Sequence, residues 1–217
     1  MTHRLARSSD SGVLVGFIDV ALLLALVGVV VAMETIPFIN RPPKDVADRR
    51  APSEPIAFFL EDQWPDGFPH DIDTWVECDS EIDGVRTNRL TVGYPRRSAL
   101  WLDLQRDDLG APSVRNIEII QSNSEVTKVP PNTFCRLNVH LYHSHGGILP
   151  VHGTMRVILN KDSSTTEKVV VETKYELRRP GEEITVAQLV WDKDGEVIEE
   201  ATVLWPTVKT EFIATRK

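Results

Sequence analysis

The chain has 217 residues, of which 41% are hydrophobic and 26% are charged, a composition typical of globular proteins and sufficient for a core. Its formal net charge of -8 and its pI near 5.3 argue against a nucleic-acid partner, which requires a basic face. The sequence contains no nucleophile elbow, phosphate-cradling glycine loop or Ser/His/Asp arrangement, so we predict no enzymatic activity, no cofactor and no metal.

The first element is an apolar run of 21 residues from Val13 to Met33, which contains a single charged side chain, Asp19. A helix of this length spans the ~30 Å hydrocarbon core of a bilayer. An acid in such a helix costs up to about 3 kcal/mol, and intramembrane acids usually face a protein partner or an ion path. Because the run has no other polar side chain to ligate sodium, Asp19 is predicted to bind a proton. The alternative is an acid tolerated near the interface.

A cleaved signal peptide competes with an uncleaved span, because Arg4 and Arg7 precede the run and Val31–Met33 loosely imitates a cleavage site. The run is longer than the usual ~7–15 apolar residues of a signal peptide, so we favour the span. Pro37 should end its helix at about Ile36. The predicted organisation is a cytoplasmic tail (1–11), a transmembrane helix (12–36), a Pro-rich linker (37–55) and a periplasmic β-sandwich domain (56–217).

The charges that flank the span favour the opposite orientation when they are counted alone. Two arginines precede the run, whereas Arg41, Lys44, Arg49 and Arg50 follow it. The positive-inside rule therefore places the C-terminal part in the cytoplasm. The periplasmic assignment of the domain rests instead on a family resemblance of the span.

Strand signals dominate the domain that follows the linker. Short segments rich in Val, Ile, Thr and aromatic residues are separated by turn residues at the spacing of an antiparallel β-sandwich. The segment Trp191–Glu196 predicts a hairpin turn in which Gly195 has a positive φ. The predicted strands are Ile56–Leu60, Ile72–Cys78, Ala99–Leu104, Val114–Ile120, Phe134–Tyr142, Met155–Asn160, Lys168–Leu177, Ile184–Trp191 and Val197–Leu204.

Alternation within Ile72–Cys78 and Phe134–Tyr142 separates an apolar face from a polar face in each strand. Both cysteines, Cys78 and Cys135, fall on the apolar faces. A disulfide between them would close a long loop and stabilise the fold by ~4 kcal/mol, whereas two buried free thiols are an equally good interpretation. The polar faces supply a candidate polar-face site, namely Asp71, Asp73, Arg136 and His140.

Four histidines lie close together in the sequence, at positions His140, His143, His145 and His152. Only the second and third have the spacing that places them on one face of a strand. No spacing in this segment matches known zinc ligand patterns, so we predict a loop lined with solvated histidines.

Two acidic segments invite a calcium interpretation. Asp79–Gly84 is similar to the start of an EF-hand loop, but Leu90 stands where the bidentate Glu belongs, so we predict an acidic turn. Asp71 and Asp73 offer oxygen ligands at the rim of a sandwich, although a pair of solvated acids is the interpretation that we favour.

The span carries a family resemblance. The segment Gly16–Leu24, with Asp19 inside it, follows a short tail and precedes a proline-interrupted linker and a soluble domain. This arrangement resembles the MotB/ExbD/TolR group, the single-span subunits of ion-driven membrane motors, whose span carries one aspartate near its cytoplasmic end. The chain departs from MotB because it has no recognisable peptidoglycan-binding domain of the OmpA type.

A second resemblance covers the domain. It looks like a family of uncharacterised bacterial proteins that join such a span to a β-rich domain with an Asp-x-Asp-x-Trp strand. The segments that carry this resemblance are Trp64–Asp66, Asp71–Val76, Leu102–Gly110 and Asn138–Tyr142.

The first resemblance implies a proton-driven motor subunit of the bacterial inner membrane, with its N-terminus cytoplasmic and its domain periplasmic. Two copies would sit within a ring of multi-span MotA/ExbB-like subunits in the lipid bilayer. Asp19 would carry the proton, and the β-domain would transmit motion to an unknown periplasmic target. The alternative is a membrane-tethered β-sandwich binding module without ion transport, and a third, weaker hypothesis is a secreted enzyme with a cleaved signal.

Overall fold

The structure is a computed structural model that describes residues 55–110 and 115–215. The predicted tail, transmembrane helix and linker, together with Asp19, lie outside the described residues. Within the described ranges, no helix combines the length and the apolar character that a membrane crossing requires.

The described residues form strands joined by turns and one short 3-10 helix at Glu199–Ala201. The strands are β1 (Ile56–Gln63), β2 (Asp71–Ile82), β3 (Val85–Val92), β4 (Ser98–Ala99), β5 (Leu102–Arg106), β6 (Ile117–Ser122), β7 (Phe134–His143), β8 (Val151–Lys161), β9 (Lys168–Leu177), β10 (Glu183–Val190) and β11 (Val203–Leu204).

The strands form two sheets in which every pair of neighbours is antiparallel. The first sheet has the order β4-β5-β6-β1-β8-β9, and the second has the order β11-β10-β7-β2-β3. Side chains of both sheets belong to one hydrophobic core, which makes the fold consistent with an antiparallel β-sandwich.

Alternating residues of the two sheets build this core. Leu60 of β1 and Val76 of β2 are fully buried and belong to the same cluster. The ring of Phe58 meets those of Trp101 and Trp191 at centroid distances of 5.8 and 6.2 Å in edge-to-face geometry. Aromatic contacts of this kind add about 0.5–1.5 kcal/mol each beyond the burial of their area.

Each predicted strand overlaps a strand of the structure, but two of the predicted strands are interrupted, one by a turn and one by a 3-10 helix. The predicted strand Ala99–Leu104 is split between β4 and β5, with a turn between them. The predicted strand Val197–Leu204 contains the 3-10 helix, and only its last two residues form β11. The turn before it is as expected, because Gly195 has φ 71° and donates its N–H to the Asp192 carbonyl.

The sequence interpretation missed β3 altogether. The segment predicted as an acidic turn is the end of β2 followed by the two-residue turn Asp83-Gly84, whose φ values are 52° and 73°. An Asp-Gly pair with two positive φ values is the preferred turn of a tight hairpin, so it pairs β2 directly with β3. β3 is an edge strand whose side chains are mostly exposed, which hides the apolar alternation that identifies strands.

The pairing of β2 with β3 begins only at Val76. The first residues of β2, 71–75, pair with β7 on one side and, among the described residues, have no strand on the other side. Their outward-facing N–H groups need other acceptors, because unpaired buried amides are costly. Side chains of β1 and β6 of the other sheet reach this open edge, because Asp62 and Glu118 both accept hydrogen bonds from Thr74.

Candidate functional site

One end of the domain gathers six acidic side chains. Antiparallel pairing brings four segments to this end of the domain. They are the last residues of β1, the first residues of β2, the segment that follows β5 and the first residues of β6. Buried carboxylates need a cation, a proton or several hydrogen bonds to offset the loss of water. We call this group the carboxylate cluster; it consists of Asp62, Asp71, Asp73, Asp107, Asp108 and Glu118.

Thr74 of β2 connects the cluster across the two sheets. Its hydroxyl donates to Asp62 Oδ2 of β1 at 3.0 Å, and its backbone N–H donates to Glu118 Oε2 of β6 at 2.5 Å. The Glu118 carboxyl thus takes the place of a neighbouring strand at the open edge of β2. Tyr175 of β9 also donates its hydroxyl to Asp62 Oδ2, at 3.0 Å.

Asp62 is fully buried, and this burial raises its pKa to about 7 in spite of the hydrogen bonds from Tyr175 and Thr74, which lower it. Both hydroxyls bind Oδ2, whereas Oδ1 has no hydrogen-bond partner among the described residues. Because both hydroxyls donate to Oδ2, we infer that the proton of the neutral carboxyl is on Oδ1.

Burial also raises the pKa values of Glu118 and Asp107. Burial raises the pKa of Glu118 well above its ordinary value, and the carboxylates of Asp107 and Asp73 raise it further. Burial also raises the pKa of Asp107, although Arg97, whose Nη1 lies 2.9 Å from Asp107 Oδ2, lowers it. The neighbouring Glu118 side chain also lowers the pKa of Asp107.

Three members of the cluster are close enough to share one ion. One oxygen each from Asp73, Asp107 and Glu118 lie within 4.8 Å of one another, and we call these residues the acidic trio. His140 Nδ1 lies 3.7 Å from Asp73 Oδ2 on the neighbouring strand. Carboxylate oxygens are the ligands of hard divalent cations, so these residues are the ones that could hold a metal.

Asp71 lies beside the acidic trio. Burial raises its pKa to about 6, and the charges of Asp73, Asp107 and Asp108 raise it as well, whereas His140 lowers it. Its Oδ1 is buried and has no hydrogen-bond partner within the part of the chain that the structure describes. The electrostatic interaction with Asp73, Asp107 and Asp108 indicates that the Asp71 carboxyl lies near the trio.

The segment after β5 is fixed by Asp108. Its Oδ1 accepts the N–H of Gly110 at 3.0 Å, and its Oδ2 accepts the N–H of Ile117 at 3.4 Å. Gly110 has φ 73°, and a Cβ there would stand 2.4 Å from the backbone carbonyl of His70. This close approach requires glycine and presses the Asp107–Gly110 segment against the start of β2.

That contact corrects the prediction that Asp71 and Asp73 are solvated. The two residues are only 9% and 7% exposed. The sequence places them on the polar face of β2, but the face is covered because the segment 107–110 and the Glu118 side chain close over the open edge. The acids are therefore buried in spite of their alternation with core residues.

The structure brings together three of the four residues of the candidate polar-face site. Asp71, Asp73 and His140 lie at the carboxylate cluster, whereas Arg136 stands four residues earlier along β7, about 13 Å away at strand rise. Arg136 binds Glu77 at 3.3 Å and Glu211 at 2.9 Å instead. It forms a separate ion-pair network on the same sheet face.

Cys78 and Cys135 lie directly opposite each other in the register of β2 and β7, with their Cα atoms 4.2 Å apart, and are joined by a disulfide. Both are completely buried. The bond therefore crosslinks neighbouring strands of one sheet, with a sequence separation of 57 residues, rather than two facing core surfaces.

Sequence reasoning missed Asp62, Asp107, Glu118 and Tyr175. Glu118 had a usable signal, because it shares a strand face with Ile120 while the opposite face carries Ile117 and Ile119, so both faces of this strand are apolar. Asp62 and Asp107 had no such signal, since each lies at a strand end among other polar residues. Their burial depends on contacts between strands that are far apart in sequence.

The histidines and the surface pocket complete this end of the domain. His143, His145 and His152 are exposed, as predicted, whereas His140 is buried beside Asp73. A shallow pocket of about 250 Å³ opens between β1 and β8, and its lining has one ionisable residue, His152. The carboxylate cluster is therefore the stronger candidate for chemistry.

Comparisons with protein-family models, with curated proteins and with solved structures found no match for this chain.

Proposed function

We propose that this chain is a single-span subunit of a proton-driven membrane motor, in which Asp19 binds and releases the proton. The observation that carries the proposal is the lone acid in an apolar run of 21 residues, Val13 to Met33. Such an acid is costly in hydrocarbon and is typical of ion paths. In apolar surroundings the neutral form is favoured, so proton loading and release would alternate the charge of the helix.

The disulfide supports the orientation that the motor requires. Disulfides persist in oxidising compartments such as the periplasm and are rare in the cytosol. A buried bond between Cys78 and Cys135 therefore favours a periplasmic domain, against the count of flanking positive charges. With the domain outside, Asp19 stands near the cytoplasmic end of the span, as it does in the MotB/ExbD/TolR group.

The motor would consist of two copies of this chain within a ring of MotA/ExbB-like multi-span subunits. One charge that crosses a potential of 100 mV supplies about 2.3 kcal/mol, in addition to any pH gradient. The two-sheet domain would carry the resulting motion to a periplasmic target. Its crosslink between β2 and β7 suits a body that must transmit force without unfolding.

The decisive experiment is the substitution Asp19→Asn, with Asp19→Glu as the matched variant. Asn keeps the size of the side chain but cannot exchange a proton, so the complex should assemble and fail to work. Glu keeps the carboxyl and should retain part of the function. Purification of the membrane complex identifies the ring subunits, and the phenotype of their deletion provides the assay. An Asn variant with normal expression and full activity would exclude proton transfer at this position.

A membrane-tethered binding module is the second candidate function, and the carboxylate cluster favours it. Buried carboxylate oxygens without partners within the described ranges are a feature of binding sites rather than of structural cores. Under this hypothesis both substitutions at Asp19 are silent, and the purified complex contains no multi-span ring subunit. The binding activity then depends on the β-domain and not on Asp19.

A further inference from the structure

We propose that the acidic trio, Asp73, Asp107 and Glu118, together with Asp71, binds a calcium ion that ties the two sheets together. The inference concerns the domain alone and goes beyond the proposed motor function, because nothing in it depends on Asp19. Asp73 belongs to the second sheet, Glu118 belongs to the first, and Asp107 follows β5. An ion held by all three would connect both sheets at the open edge of β2.

The spacing of the oxygens fits calcium. The three ligand oxygens lie within 4.8 Å of one another. Calcium binds oxygen at about 2.3–2.6 Å, so oxygens on opposite sides of the ion are up to about 5 Å apart. Magnesium binds at about 2.0–2.1 Å, demands octahedral geometry and keeps several waters, which a buried site of this kind does not favour.

Free oxygens at the site provide an independent observation. Asp107 Oδ1 has no hydrogen-bond partner among the described residues, although its side chain is only 7% exposed. Asp71 Oδ1 is likewise buried and without a partner in the described ranges. The opposite oxygen of Asp107, Oδ2, is occupied by Arg97 at 2.9 Å, so Oδ1 can bind an ion while that ion pair is kept.

The charge balance of the site also calls for a cation. Four carboxyls lie together; Arg97 binds Asp107, His140 Nδ1 lies 3.7 Å from Asp73, and Arg106 Nη2 lies 3.8 Å from the neighbouring Asp108. A divalent cation at this position would offset the cost of burying several carboxyl groups side by side.

Asp107 is the least buried of the three residues, although its side chain is only 7% exposed, whereas Asp73 and Glu118 are buried. The strands fix Asp73 and Glu118, while Asp107 is held by the segment that Asp108 anchors. Binding therefore requires little rearrangement of the backbone.

The test uses the full-length chain in detergent after removal of divalent ions with a chelator. Titration with CaCl₂ at pH 7.5, followed by calorimetry, should show saturable binding of one ion per chain. We expect a dissociation constant of about 0.1–1 mM or tighter, the range of extracellular calcium modules. Thermal unfolding in 5 mM CaCl₂ should shift to higher temperature, because the ion binds only the folded site.

Asp107→Asn and Glu118→Gln should each weaken calcium binding by about tenfold or more, and the calcium-dependent shift of the unfolding temperature should disappear. The matched control is Asp83→Asn in the β2–β3 turn, where the positive φ of 52° tolerates Asn. It lies at the opposite end of β2, about 33 Å from Asp73 at strand rise, and should leave binding unchanged. Circular dichroism shows whether each variant folds. If Glu118→Gln does not fold, the calcium binding of Asp107→Asn alone tests the site.

Three results would overturn the proposal: neither heat nor a thermal shift with calcium, equal binding by Asp107→Asn and the control, or tighter binding of MgCl₂ than of CaCl₂. The last result would show a small-cation site and exclude the calcium assignment. None of these results bears on Asp19, so failure here leaves the motor proposal standing.

Discussion

β2 runs from the carboxylate cluster at its first residues to the disulfide and the hairpin at its last residues, and the two halves satisfy buried polar groups differently. At the far end, Ser80 Oγ meets Trp101 Nε1 at 3.2 Å and Thr133 Oγ1 at 3.0 Å, all neutral groups. At the near end, Thr74 binds two carboxyls. Neutral networks are insensitive to pH, whereas carboxyl networks exchange protons or ions. The neutral network around Ser80 should therefore keep its strength when the pH changes, whereas the carboxylate cluster should respond.

The largest expected effect comes from the disulfide half. Replacing both cysteines, as Cys78→Ala with Cys135→Ala, should lower the free energy of unfolding by about 4 kcal/mol, because the closed loop spans 57 residues. Urea unfolding of the full chain in detergent, followed by tryptophan fluorescence, measures this loss. The wild-type chain with reductant should behave as the double variant does. If both thiols of the unfolded chain could be labelled without prior reduction, the disulfide would be absent and this prediction would be wrong.

The second effect belongs to the carboxylate half and depends on pH. Folded Asp62 keeps its proton up to about pH 7, whereas the same carboxyl in the unfolded chain releases it near 3.8. The unfolded state therefore binds fewer protons between these values, and stability falls as the pH rises through that window. In chelator, the free energy of unfolding should be several kcal/mol higher at pH 4.5 than at pH 8.

Asp62→Asn is the variant that isolates this effect. Its amide oxygen can still accept from Thr74 and Tyr175, while its NH₂ group replaces the proton-bearing oxygen. At pH 8 the variant should be more stable than the wild type by roughly 1–3 kcal/mol, after the cost of an unpaired amide is subtracted. Its stability should change less between pH 4.5 and 8. An unchanged slope would mean that Asp62 ionises normally and that its surroundings are wetter than the structure indicates.

The sequence predicted the far half of β2 better than the near half, and the reason is physical. Alternation identified the core faces and placed both cysteines on them, because burial on one face of a strand has a local period. The hairpin to β3 also has a local sequence signal, the Asp83-Gly84 pair, although we interpreted the segment as an acidic turn rather than as a hairpin. Apolar alternation fades at an exposed edge strand, so the turn residues carried more information than the strand itself.

The carboxylate cluster could not be predicted in the same way. Asp62 and Glu118 meet because β1 and β6 pair, and Thr74 reaches both because β3 stops short of the start of β2. Neither fact has a local signature in the sequence. The polar face of β2 predicted Asp71, Asp73 and His140, but it predicted them as solvated, since alternation alone does not reveal what covers a face.

The smallest expected effects come from the removal of one hydroxyl group in each half of β2. They test most directly whether the two halves respond differently to pH. Thr74→Val removes the hydroxyl that donates to Asp62, and Ser80→Ala removes the oxygen between Trp101 and Thr133. Each should lower the free energy of unfolding by about 1–2 kcal/mol near pH 5, where Asp62 is neutral. Their difference appears only when the pH is raised.

Above pH 7 the Asp62 carboxylate is ionised, and a hydrogen bond to a charged group contributes about 1.5–3 kcal/mol, roughly twice the neutral value. The cost of Thr74→Val should therefore grow between pH 5 and pH 8, whereas the cost of Ser80→Ala should stay constant, because its partners do not titrate in this range. Urea unfolding of both variants and the wild type at pH 5 and pH 8 gives the loss of unfolding free energy for each variant at each pH. If the two costs changed in parallel, the halves of β2 would not differ in their response to pH. The responsive character of the carboxylate half would then have to come from ion binding alone.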